Sequence, residues 1–318
     1  MSISKESSAE SAPLMSEEPT PVKGPPKNIV TGLIKAVRPR QWVKSFLVLL
    51  APVAALGGDV RYDYREVAIK VLIAFVAFSL AASSVYLIND ARDVEADRQH
   101  PTKRFRPIAA GVVPEWLAYC VAAVLGAASL AISFLATPNL AVVIGVYIAM
   151  QLAYCFGLKH EAVLDICIVT SAYLLRAIAG GVAANIPLSQ WFLLVMAFAS
   201  LFMVAGKRYA ELQLAERTGA KIRKSLESYT GTYLRFVWTL SATAMVVCYS
   251  LWAFERDGAN ASWYAVTIVP ITIAMLRYAV DVDGGLAGEP EEIALKDRVL
   301  QLLFVAWIGT IGAAVFLS

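Results

Sequence analysis

The sequence predicts an all-α, polytopic membrane protein: nine transmembrane helices with a polar site gathered on one membrane face. Three observations carry this. Of the 318 residues, 58% are hydrophobic and 17% charged, against roughly 45–50% and about 25% in globular chains. The mean hydropathy is +0.61. The apolar residues also fall into successive runs, most of them near the roughly 20 residues that a membrane-crossing helix needs.

Residues 1–28 are rich in Ser, Glu, Pro and Lys and poor in large apolar residues, a composition that predicts a disordered tail. They lack the charged start, apolar core and small-residue cleavage site of a signal peptide. Residues 29–318 form one transmembrane domain. Its apolar runs lie at 41–57, 66–89, 114–136, 138–157, 162–184, 189–206, 232–254, 262–280 and 298–317. The count becomes even if 41–57 is re-entrant or 138–157 does not cross.

Loop charge predicts the orientation. Lys35, Arg38, Arg40 and Lys44 surround the start of span one. Arg92, Arg98, Lys103, Arg104 and Arg106 follow span two, and Lys207, Arg208, Arg217, Lys221, Arg223 and Lys224 follow span six. Thr137-Pro138-Asn139 and Asn185-Ile186-Pro187, on the other side, carry no charge. Arg61 and Arg65 are a weak exception. The expected arrangement is a multi-pass inner (plasma) membrane protein with its N-terminus, tail and active site cytoplasmic. The two long charged loops stand four spans apart, which suggests two related halves facing one another.

Composition excludes several chemistries. Cys120, Cys155, Cys167 and Cys248 sit in apolar runs without a C-x-x-C pair and read as small buried hydrophobes. His100 and His160 are the only histidines, which argues against a histidine-based zinc site. A net charge of +3 is too small to argue for nucleic acid. There is no Ser-His-Asp set, no reactive-Cys environment and no P-loop.

The strongest polar feature is Asn89-Asp90-Ala91-Arg92-Asp93-Val94-Glu95-Ala96-Asp97 at the end of span two. Asp90, Asp93 and Asp97 are spaced i, i+3, i+7, which on a continuous helix puts three carboxylates on one face. Such a cluster suits Mg²⁺, a hard cation that takes carboxylates, waters and substrate phosphates. Lys103, Arg104 and Arg106 would hold phosphate oxygens that the metal leaves free. The bland alternative is a solvated acidic helix end flanked by topogenic positives. Gly206-Lys207-Arg208-Tyr209-Ala210-Glu211 closes span six. Lys207 and Arg208 would bind phosphate, and Tyr209 and Glu211 would hydrogen-bond sugar or metal-bound water. Here the alternative is an i, i+4 Lys–Glu surface pair. Before span one, Trp42 and Lys44 are either an interfacial anchor or, for Lys44, a phosphate contact. Asp165 and Arg176 lie inside span five, where charge is costly and functional by default. Asp165 can join a polar site near Lys159 and His160; Arg176 needs a partner from another span. A metal, many cations and a bed of apolar helices suit a diphosphate at the polar end, a lipid tail between the spans, and attack on the carbon that the diphosphate leaves.

Nine spans with N-D-x-x-D-x-x-x-D after span two resemble the UbiA superfamily of intramembrane prenyltransferases. Arg38-Pro39-Arg40-Gln41-Trp42-Val43-Lys44, Arg106-Pro107-Ile108-Ala109-Ala110-Gly111, Gly157-Leu158-Lys159-His160, Leu175-Arg176-Ala177-Ile178-Ala179-Gly180-Gly181 and Gly206-Lys207-Arg208-Tyr209-Ala210-Glu211-Leu212 look like its decaprenyl-phosphate phosphoribosyltransferase branch. The resemblance covers about residues 33–318. Most members of the superfamily carry a second Asp-rich motif after span six; this chain has none there. That suits a diphosphate carried by phosphoribosyl diphosphate (PRPP) rather than by a prenyl group.

The resemblance implies Mg²⁺-dependent transfer of 5-phosphoribosyl from PRPP to decaprenyl (polyprenyl) phosphate, with release of diphosphate, toward the arabinose donor of the cell wall. Asp90, Asp93 and Asp97 would hold Mg²⁺, and Asn89 would orient a carboxylate or bind phosphate. Lys103, Arg104 and Arg106 would clamp phosphate. Lys44, Lys159, Lys207, Arg208, Tyr209 and Glu211 would line the ribose 5-phosphate or the lipid phosphate. PRPP, polyprenyl phosphate and the bilayer are the implied partners, a homo-oligomer being compatible with them. Two other readings stand beside this one: a UbiA-type enzyme prenylating an aromatic acceptor, and a transporter coupled to a cation.

Overall fold

Asn28 opens the first helix, α1 (Ile29–Val37), with a reciprocal cap in which the Thr31 N–H donates to its Oδ1 at 2.9 Å. The computed structural model describes residues 24–55, 60–219, 224–256, 261–284, 293 and 296–316. Of the tail expected over residues 1–28, residues 1–23 lie outside the described residues. The remaining helices are α2 (Leu50–Ala55), α3 (Tyr64–Arg92), α4 (Val94–Gln99), α5 (Glu115–Ser133), α6 (Pro138–Cys155), α7 (Leu164–Ala183), α8 (Gln190–Thr218), α9 (Lys224–Glu227), α10 (Gly231–Phe254), α11 (Ala261–Val266), α12 (Ile268–Asp283) and α13 (Arg298–Phe316). Among the described residues there is no strand.

The runs break where the sequence supplies caps. Asp63 accepts from the N–H groups of Arg65 and Glu66, Thr137 from Leu140, Ser189 from Phe192 and Thr230 from Tyr233. Each satisfies orphan donors of a helix start. The span expected at 262–280 is interrupted between α11 and α12 at Thr267. Pro270 has no N–H for the carbonyl four residues earlier, which loosens the helix there.

Eight helices among the described residues are long and apolar enough to cross a membrane. The first of the nine expected spans, 41–57, is built differently. After α1, Pro39–Leu49 forms a long 3-10 helix that passes into α2. Its buried residues Ser45 and Val48, with Ala51 of α2, recur every three positions, the 3-10 repeat. The Trp42 indole donates to Ser83 Oγ at 3.0 Å, and Ser79 Oγ donates to Ser45 Oγ at 3.1 Å, so the stretch runs antiparallel to α3. Eleven residues rising about 2.0 Å each and six rising about 1.5 Å reach roughly 30 Å, about a bilayer's hydrocarbon thickness. Residues 56–59 lie outside the described residues.

The core has two main parts joined at α7. One centres on α3, α6 and the outer part of α7, with Phe78, Leu140, Ile144 and Ala179 fully buried. The other lies among α8, α10 and α12, with Ile166 of α7 inside it. Small residues allow close contact: a Cβ on Gly180 would stand 1.7 Å from the Val48 carbonyl oxygen. α13 keeps Leu302, Phe304 and Val305 exposed, as suits a lipid-facing helix.

Gly180→Ala must push the 3-10 stretch off α7. We expect a stability loss of about 1–3 kcal/mol, read as a lower melting temperature in detergent. Gly145→Ala, where nothing stands within 4 Å, is the control and should melt like the unaltered protein. Equal melting of the two variants would contradict the packing described.

Candidate active site

α3 is apolar along most of its length, then ends in Asn89-Asp90-Ala91-Arg92. Asp93 closes it at φ −92°, and α4 follows at once. The path stays close to helical: the Asp93 N–H donates to the Asn89 carbonyl at 2.9 Å, and the Asp97 N–H to the Asp93 carbonyl at 2.8 Å. Ala91 and Val94 are buried against α1 and α5, which holds the polar edge of this turn in place.

The expected single face is only partly realised. Asp90 and Asp97 are 2% and 4% exposed and converge on Arg106, whose Nη1 lies 3.1 Å from Asp90 Oδ1 and 2.7 Å from Asp97 Oδ2. Asp93 is half-buried and pairs instead with Lys159, from the turn between α6 and α7. The kink at Asp93 swings its side chain away from the other two.

Asp90 also meets Arg38, one Nη of which lies 2.6 and 2.8 Å from its two oxygens. Arg38 ends α1 in the left-handed region at φ 56°, an uncommon conformation for a residue with a Cβ. Its guanidinium sits 4.7 Å above the Tyr86 ring. Asn89 Oδ1 accepts from Cys155 Sγ at 3.5 Å. Cys155 is buried, in keeping with its reading as a packed hydrophobe, whereas Cys120 and Cys167 are exposed on their helices and Cys248 is half-buried, against that reading.

The loop after α4 returns Arg106 to the carboxylates. His100 Nδ1 accepts from the N–H groups of Thr102 (3.2 Å) and Lys103 (3.3 Å), shaping the turn. Burial, then the charge of Lys103, holds the His100 pKa below its ordinary value. Lys103 is half-buried here, while Arg104 is exposed and lies over the Phe105 ring. Arg106 forms ion pairs that reach the acidic cluster.

A second polar centre lies against α7 and α8. A cavity of about 170 Å³ is lined by Lys44, Val169, Tyr173, Met203, Val204, Lys207 and Arg208. The 3-10 stretch brings in Lys44, whose Nζ sits 5.9 Å from the Tyr173 ring centre. Arg208 is 4% exposed; its Nε lies 3.3 Å from Asp165 Oδ2 and its Nη1 3.1 Å from Glu211 Oε2. Asp165 is fully buried and accepts from the Tyr229 hydroxyl, which in turn accepts from the Val163 N–H. Burial, followed by the bond to Asp165, raises the Tyr229 pKa far above the phenol range. The group therefore stays a neutral O–H donor.

Tyr209 faces elsewhere. Its hydroxyl accepts from Gln213 Nε2 and Arg235 Nη2, both at 2.6 Å, and donates to Asp283 Oδ1 at 3.0 Å. It ties α8 to α10 and α12. Arg176 lies deep in the bundle, where Phe78, Tyr147 and Tyr173 surround its guanidinium at 5.0, 5.2 and 5.9 Å from the ring centres. The partner expected from another span is thus aromatic, and the backbone carbonyl of Ala172 accepts from Nη1.

Arg38 and Tyr229 are the contacts that sequence reasoning passed over. Arg38 stood inside a quoted motif, and an Arg before Pro39 was its signal. Tyr229 had none, being one of 13 tyrosines in a loop with no pattern of its own.

Among the described residues, no group of three His, Cys, Asp or Glu side chains is placed to hold a metal ion. The donor chemistry nevertheless suits Mg²⁺. Two buried carboxylates converge on one positive nitrogen, a third stands one turn away, and all their oxygens are hard ligands. The cavity is lined by three cationic side chains, Lys44, Lys207 and Arg208.

The profile of the UbiA prenyltransferase family matches residues 45–291. A decaprenyl-phosphate phosphoribosyltransferase of Mycolicibacterium smegmatis is 76% identical over 313 residues, covering 96% of this chain and 98% of the relative. One from Mycobacterium tuberculosis is 77% identical over 294 residues, covering 92% and 97%. A UbiA homolog from Archaeoglobus fulgidus, solved with GPP and Mg²⁺, superposes with a TM-score of 0.64 at 15% identity, covering 89% of this chain and 98% of that one. A profile match over most of the chain, full-length relatives at high identity and a shared helical architecture place this protein in the UbiA prenyltransferase family.

Proposed function

We propose that this chain transfers the 5-phosphoribosyl group of PRPP to decaprenyl phosphate in the plasma membrane, on its cytoplasmic face. One observation carries the reading: a carboxylate centre held by Arg38 and Arg106 is separate from a basic cavity lined by Lys44, Lys207 and Arg208, and no D-x-x-x-D follows span six. That asymmetry suits one diphosphate and one monophosphate. The names of the full-length relatives support the same reaction.

In this reading Asp90, Asp93 and Asp97 hold Mg²⁺ against the PRPP diphosphate. The bound ion would offset charge building on the departing diphosphate. Arg38, Arg106 and Lys159, which neutralise the carboxylates here, would be the contacts for diphosphate oxygens. Lys44, Lys207 and Arg208 receive the lipid phosphate, whose tail lies among the apolar helices. Lys103 and Arg104 draw phosphate to the mouth. Tyr209 holds α8 in place rather than touching sugar, and Glu211 orients Arg208.

A phosphate oxygen of the lipid attacks C1 of the ribose as the bond from C1 to the diphosphate oxygen breaks. The electron pair leaves with diphosphate. The attacking oxygen is already ionised, so no proton has to move and no general base is required. Charge stabilisation by fixed cations is the chief catalytic term.

Incubating membranes with Mg²⁺, decaprenyl phosphate and ribose-labelled PRPP should carry label into the lipid fraction. Asp90→Asn should lower kcat/KM by about 10²–10³-fold. Label moving only from a prenyl diphosphate to an aromatic acid would instead establish aromatic prenylation. A single displacement gives inversion at C1, and NMR of the product reads the anomer directly; retention would require a covalent intermediate. Lys207→Ala should raise KM for the lipid phosphate by about tenfold, with a smaller change for PRPP.

A further inference from the structure

The turn between α6 and α7 touches both polar centres. Lys159, in its 3-10 segment, pairs with Asp93. Four residues later the Val163 N–H donates to the Tyr229 hydroxyl. Two residues beyond, Asp165 accepts from the same hydroxyl and faces Arg208 Nε at 3.3 Å. Tyr229 thus fastens the segment before α10 to the start of α7, beside the cation that lines the cavity.

Two features show that this junction is constrained. Val163 has φ +70° and ψ −48°, and a β-branched residue at positive φ is an outlier that its surroundings must hold in place. Asp165 has no solvent exposure. A buried carboxylate needs a cation and hydrogen bonds to stay charged, and here Arg208 and Tyr229 supply them. Removing the phenol hydroxyl takes a bond from Asp165 and leaves the Val163 N–H without its acceptor. Arg208 then loses its fixed counter-charge geometry.

We propose that Tyr229 and Asp165 are positioning residues for the lipid-phosphate cavity: from behind, they set the guanidinium of Arg208 and the α6–α7 turn. This rests on the cavity being the monophosphate site. Neither residue lines the cavity, so both act through Arg208. Asp165 and Tyr229 form one unit in this role, and their substitutions are therefore non-additive.

The test uses the full chain in detergent, titrated calorimetrically with farnesyl phosphate and, separately, with PRPP plus Mg²⁺, alongside kinetics and melting. Tyr229→Phe keeps the ring and removes the hydroxyl. It should weaken farnesyl phosphate binding by about tenfold while PRPP binding stays within about twofold. KM for the lipid should rise more than kcat falls. Asp165→Asn should act in the same direction, and the double variant should be no worse than the more affected single one.

Unchanged lipid binding in both variants would overturn the positioning role and leave the proposed reaction standing. So would equal losses for both ligands that track a fall in melting temperature. Protein that binds farnesyl phosphate in a Tyr229-dependent way, yet never transfers phosphoribosyl, would support the positioning role and overturn the reaction. Unaltered protein that binds no farnesyl phosphate would overturn both.

Discussion

A carboxylate at the end of an apolar helix has to be neutralised, and Asp90 imposes that constraint on much of the structure. It is nearly inaccessible, and Arg38 and Arg106 both reach it. An unpaired buried charge costs several kcal/mol, so two chain segments are drawn to this point. α1 ends in a left-handed residue that delivers Arg38. The loop after α4 folds back until Arg106 also touches Asp97. In the proposed reaction the same cations would meet the charge of the departing phosphate. Binding and folding therefore draw on one set of ion pairs, and an incoming anion and metal would exchange partners with them rather than meet an unprepared surface.

The two polar centres differ in sign. One is a cluster of carboxylates held by cations; the other is a cavity of cations backed by one buried carboxylate, Asp165. Their joint is the α6–α7 turn, with Lys159 at one end and Val163 at the other. A two-substrate transfer between phosphorylated partners needs such a division, because two polyanions repel unless each has its own counter-charge. The helical bundle that holds both centres keeps apolar residues such as Leu302, Phe304 and Val305 exposed, a surface suited to lipid.

Charges deeper in the bundle show how far the membrane environment selects partners. Arg176 is stabilised by ring faces and a backbone carbonyl. Aromatic quadrupoles attract a desolvated cation without adding a second charge to bury. The guanidinium thereby braces α3, α6 and α7 at the level where the 3-10 stretch passes close to α7. Expecting a carboxylate for every buried cation would misread this site.

Much was legible in the linear chain because it depends on local chemistry. Apolar runs of membrane length anticipated the eight long helices, most of them within a few residues, although α8 continues to Thr218, well past the expected end at 206. The spacing of Asp90, Asp93 and Asp97 marked the acidic stretch, in which Asp90 and Asp97 converge on Arg106. What the chain alone left open were choices among many equivalent residues. The first span became a 3-10 helix because Ser45, Val48 and Ala51 dock on α3 and α7, not because of any helix-forming signal of its own. Tyr209 turned to Asp283, Tyr229 to Asp165 and Lys159 to Asp93 across separations of 64 to 74 residues. Sequence by itself determined which groups must cross the membrane and which must be charged, since transfer energies act residue by residue. Tertiary structure alone decided which charge meets which, because ion pairing depends on distances that only the packed helices create.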